Sequence, residues 1–444
     1  MQEAVQRQMK AAEGVRAGVG SVLFMAVFLM SWITLNPFID LSGGVVLDQS
    51  AREGSLLNQV LSLGLFACML GFGLAHPLRS IILRPHVLLF LIFSWLAFVS
   101  LVISSYPAQG AKGIVLALIS VVNGGVFLLL PRSERSFARL LGIGCLCVLA
   151  TAYFGIVFKP QLSIHQASEV LEPINVGLWR GHFRHKNDAA VAMAMMVLFG
   201  IFVANAWSRL AGIAIVGLAF LFLMQTGGKT STAMLPLVLI VAWMFEKMPI
   251  LRIPIVIGGI ALFNLFVLGS AVIRPLGEFI ADLGIDATFT NRADVWRVAL
   301  PAIAEQPFTG YGMKGFWQTS QLVHGGGTVE TWAVLAAHAH NSYLEMFLMM
   351  GIPGLIMVLI WLIGLPLYYI SRLDPANAHS SLTRLFVRIW LYVLAHACLE
   401  SLFLDGSNPL WLTFLIAFYG IYLQSSSQLL PSGKFSHQRL VAHA

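Results

Sequence analysis

The chain has 444 residues, of which 58% are hydrophobic and only 11% charged, with a mean hydropathy of +0.82, whereas a soluble domain carries about a quarter charged residues. Apolar runs recur from end to end, each roughly 18 to 25 residues and so long enough to cross a hydrocarbon core about 30 Å thick, which excludes a soluble domain on a single anchor. The net charge of +7 lies between apolar runs and forms no dense basic face on a soluble module, so lipid headgroups and anionic substrates are the expected partners and nucleic acid is not.

The first sixteen residues are polar and mildly amphipathic. The run Val19 to Phe38 is too long for a signal-peptide core and lacks a small-x-small exit, so it reads as an uncleaved first span. Eleven more spans follow at about 55-75, 86-104, 113-130, 139-158, 188-207, 210-225, 231-246, 253-272, 343-370, 385-402 and 410-425. The expected fold is an all-α polytopic bundle of about 12 spans. It is one membrane domain over 1-444, with an N-terminal segment (1-18) and a tail (426-444) on the same, cytoplasmic side. Cys68, Cys145, Cys147 and Cys398 fall inside apolar runs, where thiols behave as small hydrophobes, so no disulfide framework or zinc site is expected.

Orientation follows from the distribution of Lys and Arg over alternate loops. Sixteen of the 27 lie on the side of the termini, in short loops. On the opposite side, eight concentrate in two longer loops, 159-187 and 273-342: Lys159, Arg180, Arg184, Lys186, Arg274, Arg292, Arg297 and Lys314. Positive charge there runs against the orientation bias, and an anionic ligand accounts for it. The larger loop is too long for a connector. Asn291 is expected to cap a helix running through Trp296 to Ile303, with turns at Gly310 to Gly312 and Gly325 to Gly327 interrupting the loop.

The first candidate constellation is Trp179-Arg180-Gly181-His182-Phe183-Arg184-His185-Lys186-Asn187-Asp188, just before the sixth span. Trp and basic residues also serve as interfacial anchors, and Arg180 alone fits either role. As a cluster, guanidinium forks, imidazoles and an ammonium at a membrane mouth suit a phosphate or diphosphate. The second is Ala337-His338-Ala339-His340-Asn341-Ser342-Tyr343-Leu344-Glu345, opening the tenth span, with Gly351-Ile352-Pro353-Gly354 beyond it. Neutral imidazole accepts a proton from a hydroxyl near pH 7, so one histidine is a candidate base and the other a candidate orienting group. Spacing alone does not assign them.

Gly227-Gly228-Lys229-Thr230-Ser231-Thr232 lacks the spacing of a nucleotide phosphate loop and follows a span, so an NTPase is rejected and Lys229 becomes one more cation for a lipid phosphate. Arg292, in Thr290-Asn291-Arg292-Ala293-Asp294-Val295-Trp296, either joins that ligand or pairs with Asp294 or Glu305. The far-side loops show no D-x-D pair, carboxylate cage, His-x-x-x-His helix or G-x-S-x-G elbow. A metal cofactor and a serine triad are therefore not expected. Few ionisable residues fall within spans, which argues against an ion-coupled transporter.

On these residues the sequence resembles the O-antigen ligase and O-antigen polymerase superfamily of membrane glycosyltransferases. His340, Asn341, Gly351 and Gly354 fit its His-Asn, nine residues, Gly-x-x-Gly pattern. The order of features also agrees: His185, Lys186 and Asn187, then Lys229 to Thr232, then Asn291, Arg292 and Trp296, then the His-Asn motif. An Arg-x-x-x-Leu element seen in some ligases is not cleanly present around Arg180 or Arg184, and His338 is a second candidate base. The resemblance implies a multi-pass protein of the bacterial inner membrane. Such a protein moves O-antigen from an undecaprenyl-diphosphate donor to a hydroxyl of the lipid A core oligosaccharide at the periplasmic face; on the residues present, the transfer is expected to be inverting and metal-independent, without a cofactor. On that resemblance, His340 is the motif histidine and Arg184 and Arg292 bind the diphosphate; from the residues themselves His338 or His340 is the expected base, and Arg180, Lys186, His185 and Lys229 join the diphosphate set. Asn341, Asn187, Trp296, Gly351 and Gly354 support the motif. An O-antigen polymerase, a protein O-oligosaccharyltransferase and, from another class, an anionic-lipid transporter or flippase are the rival readings.

Overall fold

A computed structural model of the chain describes residues 2–42, 56–77, 87–169, 173–284, 289, 292–319, 322–323 and 332–426. Its principal helices are α1 (Gln2–Trp32), α2 (Leu56–Leu74), α3 (Val87–Ile103), α4 (Pro107–Phe127), α5 (Glu134–Phe158), α6 (Lys186–Ala206), α7 (Arg209–Thr226), α8 (Lys229–Lys247), α9 (Pro249–Val272), α10 (Arg274–Asp282), α11 (Arg292–Glu305), α12 (Ser342–Ser371), α13 (Ser381–His396) and α14 (Pro409–Ser426). Among the described residues there is no strand, only one antiparallel bridge between Ile164 and Trp179. The fold is all-helical, as expected. Among the described residues, nine helices, α1, α2, α4 to α9 and α12, are long and apolar enough to cross a membrane. The helices α3, α13 and α14 occupy the other three expected positions but fall short of that length or hydropathy.

The bundle is built around α6, which is buried along most of its length and packs against α5, α7, α8 and α13. Its Ala- and Met-rich sequence allows close approach, as small residues do where helices meet in lipid. At the α6–α7 crossing, a Cβ on Gly212 would lie 2.4 Å from the Ala204 backbone nitrogen. The Ser208 hydroxyl caps α7 by accepting from Ala211 N at 3.3 Å, so the hairpin is closed within two residues.

Two expected spans end early, and both endings feed the candidate site. The first stops at Trp32 rather than Phe38, because Thr34 and Phe38 adopt φ of 65° and Pro37 cannot donate to a helix ladder. Residues 33–42 then lie against the 159–187 loop. The helix expected to reach 402 stops at His396, and the chain beyond it is tied to the start of α12: Ser342 N donates to Ala397 O at 2.7 Å and its hydroxyl to Glu400 O at 2.7 Å. Glu400 thereby leaves a helix and enters a loop facing the His338–His340 segment.

The large loop is partly helical, as expected, with α10 and α11. Asn291 and Gly325 to Gly327 lie outside the described residues. The loop is moored to a break in α12. Gly351 has φ 64° and ψ −169°, a conformation that strains other residues, and a Cβ there would lie 2.2 Å from Phe308 O. The carbonyls of Leu348, Met349 and Met350, released by the break, accept from Tyr311 N (2.9 Å), Gly312 N (3.0 Å) and Trp95 Nε1 (2.8 Å). A broken helix survives at membrane depth only when its polar groups are satisfied in this way. The Gly351-x-x-Gly354 element is therefore a dock for the loop.

Candidate active site

Four helices, α6, α8, α11 and α12, begin around one region. Gly227, with φ 61°, ends α7, and a Cβ on Gly228 would lie 2.3 Å from Ala190 Cβ, so the Gly-Gly turn brings Lys229 beside the first turn of α6. Asp188, exposed in that first turn, lies within electrostatic range of Arg184, His185 and Glu400. Arg292 opens α11 and pairs with Glu400. Helix starts carry partial positive charge, so the region favours an anion before any side chain is counted.

At its centre His340 Nδ1 lies 3.1 Å from Glu400 Oε2. The backbone presents His340 in a left-handed conformation (φ 49°) that its neighbours enforce. Ala339 N donates to Glu345 Oε2 at 2.7 Å, Trp296 Nε1 donates to Ala339 O at 2.9 Å, and Trp317 Nε1 donates to Glu345 at 3.0 Å. On the other flank Asn341 caps α12 through Leu344 N (2.9 Å), while its amide donates to Asn264 Oδ1 (2.7 Å) and Cys398 O (2.8 Å). Strain of this kind persists only where the surroundings over-determine it, and it collects at functional sites.

The two histidines are unlike. His338 Nδ1 accepts from His340 N at 3.3 Å, and the rings lie 4.2 Å apart. Burial first, then the charge of His340, pushes the His338 imidazole down to about 3. It is a neutral group of low basicity. His340, with 27% of its side chain exposed, faces a carboxylate. Burial alone would push Glu400 up, but Arg292 and His340 outweigh it and hold the carboxyl well below the usual range. An ionised Glu400 fixes the proton of His340 on Nδ1 and leaves Nε2 as the acceptor. His338, His340 and Glu400 each offer one ligand atom within 4.8 Å of the others, as a metal site would, although the Arg292 guanidinium on the same carboxylate opposes a cation.

The basic residues separate in the same way. Arg184 and Lys229 are exposed and Lys186 is half-buried. Arg180 is only 1% exposed, and its guanidinium donates to Ile39 O (2.8 Å) and Phe183 O (3.3 Å), with Glu169 4.0 Å away. His182 is buried against Trp32 O at 2.9 Å, and burial pushes it down to about 4. His185 caps α6 through Asn187 N at 3.2 Å. Lys159 sits 5.2 Å above the Phe38 ring, and Arg274 and Arg297 pair with Glu278 (2.7 Å) and Asp294 (2.8 Å). The eight basic residues thus do not act as one set. Sequence reasoning missed Glu400 as the partner of His340 and Asn264 as the partner of Asn341. A carboxylate in an expected span was the signal for Glu400, since such residues are costly without a function.

Residues 194–359 match the family model for O-antigen ligase. The match spans α7 to α11, most of α6 and the His-Asn and Gly-x-x-Gly elements, and it ends before Glu400. No individual curated protein matches the chain at a significant level. The apolar helices and this match together mark an integral membrane protein that is similar over residues 194–359 to the O-antigen ligase family.

Proposed function

We propose that the protein is an O-antigen ligase, an inverting, metal-independent glycosyltransferase that moves a glycan from undecaprenyl diphosphate to a lipid A core hydroxyl on the periplasmic side of the inner membrane, with both termini cytoplasmic. The observation that carries this reading is the His340–Glu400 pair, within electrostatic range of Asp188 in the first turn of α6, the turn that Arg184 and Lys186 flank and that the Gly227–Gly228 turn brings Lys229 beside. His340 Nε2 takes the acceptor hydroxyl proton as the oxygen bonds to the anomeric carbon. The bond from that carbon to the phosphate oxygen breaks on the opposite face, and undecaprenyl diphosphate leaves with the electron pair. Arg184, Lys186 and Lys229, with the N–H groups of Arg292 that Glu400 does not engage, meet the growing charge on the leaving group. His185 and Asn187 fix the start of α6, and Arg180 acts from within by holding the loop. His338 is a positioning residue, its Nδ1 fixing the His340 backbone.

Purified protein supplied with lipid-linked donor and lipid A core acceptor tests this. The expected product carries an inverted anomeric linkage, forms in EDTA, and is lost with His340→Ala or Glu400→Gln. Unchanged rates in both variants would refute it. Product on a lipid-linked glycan or on a protein hydroxyl, with none on the core, would indicate a polymerase or a protein glycosylation enzyme instead.

A further inference from the structure

We infer that an apolar groove between α8, α9 and α13 seats the first isoprenoid segment of the donor's carrier chain, directly on the membrane side of the His340–Glu400 pair. The inference rests on the donor reading above. The groove has a volume of about 150 Å³ and is lined by apolar side chains, among them Met234 and Leu237 of α8, Ile260 and Phe263 of α9, and Leu394 of α13, with Cys398 at one end.

What lies at that end gives the groove its meaning. The Cys398 thiol accepts from Asn264 Nδ2 at 3.2 Å, Asn264 Oδ1 accepts from Asn341 Nδ2 at 2.7 Å, and Asn341 adjoins His340. One hydrogen-bonded layer therefore separates an apolar slot at bilayer depth from a cationic rim and a base. An amphiphile with an anionic head and a long hydrocarbon tail matches both halves. The tail must hang from the group that leaves the anomeric carbon, and in the proposed reaction that is the carrier. The slot holds a short segment only. Leu237, 50% exposed, borders its lateral side, so the rest of the chain continues into lipid.

Gly259 provides the test, because it lines the groove and no atom lies within 4 Å of a Cβ built there. The Cβ of a phenylalanine there meets no atom, and its ring is expected to occupy the slot. Gly258 has equal space but does not line the groove, so Gly258→Phe is the control, and Gly259→Leu is a milder version should Gly259→Phe fold poorly. The full chain in nanodiscs is irradiated with a farnesyl diphosphate analogue bearing a benzophenone at the tail end, with undecaprenyl diphosphate as competitor. Competed label is expected on α8, α9 and α13, falling about tenfold in Gly259→Phe, the loss of roughly two buried methylene groups, and unchanged in Gly258→Phe. Label that ignores both glycines, or falls equally in both, would overturn the groove. If wild-type protein labels as expected but transfers no glycan, the ligase reading falls and the groove stands. If transfer proceeds and labelling ignores Gly259, the groove alone falls.

Discussion

The 159–187 loop and the 336–341 segment are both rich in imidazoles, and in sequence they look like two halves of one kind of site. Their structures differ in where the polar atoms end. In the first, Arg180 and His182 point inward and tie residues 32–39 to the bundle, and only Arg184 and Lys186 remain toward the region around Asp188. In the second, the buried Trp296 and Asn341 and the half-buried Glu345 hold an imidazole outward against Glu400. One loop uses charge to hold the fold, and the other uses the fold to hold an imidazole.

The largest expected effect separates the two. His340→Ala should lower the rate of transfer by about 10²–10⁴, the usual share of a positioned general base, with the melting temperature unchanged. His182→Ala should do the reverse, lowering thermal stability while activity per folded molecule persists. A normal rate in His340→Ala, or a catalytic defect confined to His182→Ala, would invert the comparison.

Next comes Arg180 against Arg184. Removing Arg180 leaves the Ile39 and Phe183 carbonyls without their donor, while Glu169 keeps His165, so Arg180→Ala should cost roughly 2–3 kcal/mol of stability, read as a fall in melting temperature. Arg184→Ala, at an exposed position, should leave stability alone and raise KM for the donor about tenfold. Gly351→Ala belongs between them. The positive φ and the Phe308 carbonyl 2.2 Å from the added Cβ should cost roughly 1–3 kcal/mol and loosen the large loop, visible as faster proteolysis at residues 306–312.

The succession of long apolar helices and the His-Asn motif were legible in the sequence, because hydrophobic length and residue type need no tertiary information. Arg180 and Arg184 could not be told apart, since four residues in one loop can face opposite ways and only burial decides. Glu400 was legible as a carboxylate in an expected span but not as a partner of His340, because the pairing depends on α13 ending at His396. The choice between His338 and His340 likewise depended on a backbone hydrogen bond within the loop, which spacing does not encode.

The smallest expected effect is a slope. His338 is pushed down to about 3 in the folded protein, against about 6.5 unfolded. Between those values the unfolded chain binds a proton that the native state refuses, so native stability falls as pH falls below about 6.5. One such group contributes at most about 1.4 kcal/mol per pH unit. His338→Gln removes it, and its melting temperature should drop less steeply than that of wild type between pH 6.5 and 5. Glu400 does not act in that window. Its carboxyl is held low, so its contribution is complete above the ordinary carboxylate range and disappears only as pH falls through its folded value. Glu400→Gln should therefore abolish transfer without removing the contribution of His338 to that slope. A variant that altered both slope and transfer would mean that fold and chemistry are not divided between His338 and Glu400 as their geometry indicates.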